Sequence, residues 1–152
     1  MKPVRLSLKA IIIEDDHVLM IKNRDDTGDW YMLPGGGQEH GETVPSALSR
    51  ECREEVGSGV EIGRLRFIRD YIGAHHEFAE HDGDAHQVEL MFECRLTGTP
   101  RMGDVPDPMQ TGVEWLGLDD LQRHRIYPAA LKQLLLTGHG GNGAPIYLGD
   151  VN

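Results

Sequence analysis

Residues 36–58, GGQEHGETVPSALSRECREEVGS, join a glycine turn to an Arg-Glu-x-x-Glu-Glu run closed by a further glycine. On a helix, Glu51, Glu54 and Glu55 stand at i, i+3 and i+4, so their carboxylates leave one face. At about 100° per residue, Val44, Ala47, Leu48, Cys52 and Val56 make the apolar arc. Glu51 and Glu55 fall inside that arc and Glu54 lies on its edge. An ordinary amphipathic helix carries leucines at such positions. Carboxylates turned toward an interior cost several kcal/mol to desolvate unless cations or partners offset the cost. Oxygen-rich clusters of this kind suit hard divalent ions such as Mg²⁺ or Mn²⁺. The competing reading is a solvated acidic helix with i,i+4 pairs such as Arg50 with Glu54, but two of the acids face the wrong way for it.

The same residues match, position for position, the box G-x5-E-x7-R-E-U-x-E-E-x-G-U, where U is bulky and aliphatic. Gly36, Glu42, Arg50, Glu51, Glu54, Glu55 and Gly57 fall in register; Cys52 fills the first U, and Ser58 departs from the last. The chain therefore resembles the Nudix hydrolases, the MutT-like nucleoside diphosphate-X pyrophosphohydrolases, over residues 4 to about 136. The resemblance implies an α/β Nudix fold, a mixed sheet sandwiched between helices, over residues 1–136. A glycine-rich tail, 137–152, follows. It also implies metal-dependent hydrolysis of a diphosphate bond in a nucleoside di- or triphosphate or a nucleotide derivative.

Under that resemblance the metal ligands are Glu51, Glu54, Glu55 and the backbone carbonyl of Gly36, holding Mg²⁺ or Mn²⁺. The catalytic residues are Glu51, Glu54 and Arg50, with Arg50 orienting a glutamate of the cluster and Glu42 in a supporting role. The general base stays open among the box glutamates and the outside acids Glu77, Glu80, Asp82, Glu89 and Asp107. Lys22 and Arg24 end a strand where they can meet distal phosphates, or they are simply a solvated strand end. Trp30 reads equally as a base-stacking ring or a core anchor. The arginine-rich and apolar-proline signatures of coenzyme A-type and NADH-type relatives are missing. No proline occurs between Pro45 and Pro100, which counts against an ADP-ribose specialist. The rival class is a catalytically silent nucleotide sensor on the same fold; such proteins tend to lose box acids, and here all three are intact.

Composition narrows the partners. At 152 residues, 39% hydrophobic and 26% charged, the chain has the make-up of one soluble domain. A net charge of −10, from 15 basic and 25 acidic residues, disfavours nucleic-acid polymers and favours a small nucleotide screened by cations. No apolar run is long enough to span a membrane, the N-terminus has no signal-peptide pattern, and two cysteines read as reduced thiols. The expectation is a cytoplasmic protein without a membrane partner, for which a homodimer is compatible.

Periodicity predicts strands over 4–13, 17–22, 30–33, 60–72, 87–96 and 113–116, and a helix from Val44 to about Val56 with Thr43 as N-cap. Residues 23–29 read as a polar loop. The His- and acid-rich stretch 73–86 reads as a solvated loop, with a mobile substrate lid preferred over a structural zinc site. A last helix is expected over 129–136, and Ile146 to Leu148 is a stretch able to dock.

Overall fold

The computed structural model describes residues 2–138 and 145–152. Its strands are β1 (Arg5–Glu14), β2 (His17–Asp25), β3 (Gly28–Met32), β4 (Gly35–Gly37), β5 (Val60–Ile72), β6 (His86–Leu96), β7 (Gln110–Gly117) and β8 (Tyr147–Asp150). Its helices are α1 (Val44–Val56), α2 (Ala79–Asp82) and α3 (Leu131–Gly138). Among the described residues no helix is long and apolar enough to cross a membrane.

The strands run in the order β3-β2-β1-β6-β5-β8, with β4 added to β1 and β7 to β2. β1 lies parallel to β6, and β5 antiparallel to it, so the sheet is mixed. β1 meets β2 near their shared turn, Ile13 opposite Val18, and then turns to β4, with Ser7 opposite Gly37 and Lys9 opposite Gly35. The two halves of the sheet thus diverge from one hairpin. One core joins Leu8, Ala10 and Ile12 of β1 to Leu19 and Ile21 of β2 and to Ala47, Leu48, Cys52 and Val56 of α1. Because strand side chains alternate, the intervening positions of β1 face the opposite side. There Ile11 joins a second core with Met91, Phe67, Leu131 and Leu135, which places the C-terminal helix on that face.

α1 starts and stops as its sequence directs. The Thr43 hydroxyl accepts from the Ser46 amide at 3.2 Å, proline fills the first turn, and Gly57 closes the helix in the left-handed region at φ 63°.

Three expectations change. Most of the 23–29 loop is strand: β2 runs to Asp25 and β3 begins at Gly28, because Asp29 on β3 pairs with both Arg24 (2.8 Å) and Lys22 (3.4 Å) on β2. The 73–86 connection is tied down. It folds into a 3-10 turn (Gly73–His75) and α2, and Tyr71 donates to Asp82 at 2.9 Å. His75 and His76 bind Asp150, and Phe78 meets the Tyr127 ring edge-on at 5.1 Å. The last helix begins at Leu131, two residues after the expected start. At the C-terminus, β8 pairs parallel with β5, and the Ile68 amide donates to the Ile146 carbonyl at 2.8 Å. The glycine-rich stretch 139–144 lies outside the described residues.

Candidate active site

α1 packs its apolar arc into the core, and the acids inside that arc go with it. Glu55 is 1% exposed. Its Oε1 accepts the Gly35 amide at 2.7 Å, while Oε2 has no hydrogen-bond partner among the described residues. Burial pushes its carboxyl up to about 8; Lys9 and the Gly35 bond pull against the rise, and Asp107 and Glu51 add to it. Glu51 is also raised, by burial first, with Arg50 opposing. Its carboxylate lies flat against Gly36: a Cβ at that position would come within 2.6 Å of it. A side chain there would push the carboxylate aside, so glycine keeps it in place against the backbone.

Arg50 ties the cluster together. Its Nε donates to Glu42 at 2.6 Å, its Nη1 to Glu51 at 3.0 Å and Glu54 at 3.3 Å, and its Nη2 to the Gly37 carbonyl at 3.0 Å and to Glu42 at 3.0 Å. These bonds, led by the one to Arg50, hold Glu42 down at about 2. Glu42 is therefore saturated by Arg50 and the Glu39 amide. Among the described residues no three His, Cys, Asp or Glu side chains converge into a finished ligand set; Arg50 supplies the counter-charge to Glu51 and Glu54. The donors still fit a hard cation: all are oxygens, one oxygen of a buried carboxylate is unpartnered, and a glycine backbone lies against the neighbouring carboxylate.

A cavity of about 260 Å³ opens beside Gly35 and Gly36. Trp30, Phe78 and Tyr127 line one part, with the Trp30 and Phe78 rings both meeting Tyr127 edge-on. The indole Nε1 of Trp30 is buried without a partner. Arg5, Lys9, Arg69 and Glu89 line another part, projecting from β1, β5 and β6. Arg69 donates to Glu89 at 2.7 Å, and both are buried. Burial alone would raise Glu89, but Lys9, Arg69 and Arg5 together hold it below its ordinary range.

Of the residues expected from sequence, Gly36, Glu42, Arg50, Glu51, Glu54 and Glu55 assemble at one place, and Trp30 reaches the cavity. Lys22 and Arg24 are turned to Asp29 and do not line it. Among the outside acids, Asp82, Glu89 and Asp107 line the cavity; Glu77 accepts from Asn152 instead. The cavity residues Arg5, Lys9, Arg69, Tyr71, Phe78 and Tyr127 carry no box-like signature. The usable signal was in β1, where Arg5, Ser7 and Lys9 put polar groups at alternate positions of an otherwise apolar strand.

The fold and this glutamate–arginine cluster define the class. The NUDIX domain family matches residues 4–136, and the chain belongs to the Nudix hydrolase family. It is 29% identical over 118 residues to the putative nudix hydrolase 1 of Caenorhabditis elegans, covering 74% of this chain and 28% of that protein. It is 44% identical over 77 residues to the human 8-oxo-dGDP phosphatase NUDT18, covering 45% of this chain and 24% of that one. The chain thus spans about a quarter of the length of these curated relatives. Among solved structures, a MutT NUDIX hydrolase from Burkholderia pseudomallei superposes with a TM-score of 0.70 at 27% identity, over 90% of this chain and all of that one.

Proposed function

We propose that the chain hydrolyses a diphosphate bond in a nucleoside di- or triphosphate or related nucleotide derivative, with Mg²⁺ or Mn²⁺ held by Glu51, Glu54, Glu55 and the Gly36 carbonyl. Glu55 carries this reading. A carboxylate 1% exposed, with one oxygen unpartnered, is a cost to the fold that a cation offsets. A bound divalent ion neutralises phosphate oxygens and makes a water more acidic.

The chain's own residues supply the rest. Arg50 fixes the directions of Glu51 and Glu54 and anchors the 36–37 backbone through the Gly37 carbonyl. Lys9, buried, holds the carbonyls of Leu33 and Gly35 at 3.4 and 3.3 Å and so stiffens the entry to the glycine turn. Trp30, Phe78 and Tyr127 offer an apolar surface for a base, where stacking contributes about 1–3 kcal/mol. Glu89 is committed to Arg69. Asp107 lines the cavity within electrostatic reach of Glu55 and has no side-chain hydrogen bond among the described residues, which makes it the acid suited to accept a proton. The name of the human relative, an 8-oxo-dGDP phosphatase, supports a nucleotide substrate.

The test is phosphate and pyrophosphate release from a panel of nucleotides with and without Mg²⁺. Metal-dependent release is expected. Binding of nucleotides without any release would replace the enzyme by a catalytically silent nucleotide sensor.

A further inference from the structure

The basic residues of the cavity differ in what they have left to offer a ligand. The chain is acidic, −10 with only 15 Lys and Arg, yet Arg5, Lys9 and Arg69 line this one cavity. Arg69 is spent on Glu89, the Val151 carbonyl and the Asn152 side chain. Lys9 is spent on two backbone carbonyls. Arg5 makes no hydrogen bond or close ion pair with any described residue, so its guanidinium donors are uncommitted; its charge acts on Glu89 only at a distance. Three acids, Asp82, Glu89 and Asp107, also line the cavity. However, Asp82 accepts the Tyr71 hydroxyl, Glu89 is neutralised by Arg69, and Asp107 acts on the buried Glu55.

Arg5 occupies the space that a side chain on Gly37 would take. A Cβ on Gly37 would lie 2.4 Å from Arg5 Nη2, 2.5 Å from Nε and 2.8 Å from Cζ. The guanidinium therefore rests on the bare peptide of Gly37, next to Gly36, on the loop whose carbonyl Arg50 holds. A planar, permanently charged fork suits a phosphate better than a neutral group does.

We propose that Arg5, seated on Gly37, receives the terminal phosphate of the substrate and makes the site selective for nucleotides whose phosphate chain ends in a free, uncapped phosphate. The assignment rests on the pyrophosphohydrolase reading and adds to it a preference for a phosphate chain with an uncapped end. A nucleoside triphosphate fits; a nucleoside diphosphate joined to a neutral sugar gains nothing from Arg5.

Two measurements separate the two claims. First, inorganic pyrophosphate is titrated calorimetrically into the metal-free protein, where the acids repel it and binding depends on the basic groups. Arg5→Gln is expected to weaken the Kd at least about 5-fold and to lower its salt dependence, with Arg5→Lys in between. Second, kinetics compare a nucleoside triphosphate with a nucleoside diphosphate hexose. Arg5→Gln should raise KM for the triphosphate about 10-fold with kcat nearly unchanged and leave the hexose substrate alone. Gly37→Ala, which displaces the guanidinium without removing its charge, should reproduce the weaker pyrophosphate binding. An unchanged pyrophosphate Kd, or equal losses on both substrates, overturns the role of Arg5. A wild-type protein that binds pyrophosphate through Arg5 but hydrolyses neither nucleotide overturns the enzyme reading instead.

Discussion

Replacing Glu55 by Gln tests the central idea, that this carboxylate is held at a cost in the metal-free protein. The carboxyl moves from 4.5 to about 8 on folding, so between those values the native state binds a proton that the unfolded state has released. Stability therefore falls as pH rises from about 4.5 and keeps falling until the folded protein is itself deprotonated above 8. The full loss is about 5 kcal/mol at roughly 1.4 kcal/mol per pKa unit, a large share of the 5–15 kcal/mol typical of a domain. Gln keeps the acceptor for the Gly35 amide and places an uncharged nitrogen where the unpartnered oxygen stood. Chelated wild type and Glu55→Gln should thus unfold in denaturant at similar midpoints near pH 5. At pH 9 the variant should be the more stable by several kcal/mol. Glu51, raised in the same direction, leaves a residual slope in both. Saturating Mg²⁺ should reverse the order, because only the wild type keeps the full ligand set and gains stability by binding. The same pH slope in both proteins would show that Glu55 is not buried as a strained anion, and the reasoning would fail.

Glu54→Gln is expected to lower kcat at least about 100-fold while the fold survives, which circular dichroism and a steady-state assay check together. Asp150→Asn is expected to loosen β8, because Asp150 accepts from His75 at 2.7 Å, His76 at 2.6 Å and the Ile72 amide at 3.0 Å. The bond from His76 leads in holding Asp150 below the usual carboxylate range. Its contribution is therefore present above the unfolded pKa and disappears as pH falls through the folded one. Hydrogen exchange should show faster exchange at the Ile68 and Val151 amides, which bond across β5 and β8; unchanged protection would mean the strand is held by its backbone alone.

What could be read in advance depended on how far its causes reach along the chain. The Nudix helix is a local object. Thr43, Pro45 and Gly57 set its ends, and the carboxylates declare themselves by standing in an apolar arc, so sequence located both the helix and the cluster. β5 was equally legible, its expected bounds of 60 and 72 matching the strand. The cavity was not, because Arg5 and Arg69 become neighbours only through parallel pairing of β1 with β6 and antiparallel pairing of β6 with β5. No local window contains that arrangement. Lys22 and Arg24 illustrate the converse: positive charge at a strand end was legible, but the cross-strand Asp29 that pairs with both is visible only once Arg24 is placed opposite it.

The 73–86 segment shows why polarity is a poor guide to freedom. Its one phenyl ring, Phe78, meets Tyr127, and the neighbouring Tyr71 stacks on its His76 at 5.5 Å. Three of its four histidines meet carboxylates on strands, His75 and His76 on Asp150 and His86 on Asp70. The partner of two of those histidines lies on the last strand, so docking of β8 adds to the anchors that Asp82, Phe78 and His86 already supply. The same docking brings the Val151 carbonyl and Asn152 to Arg69, whose donors they share with Glu89. Of the two arginines lining the cavity, the one beside β8 is therefore committed, and the one on Gly37 keeps its donors unspent.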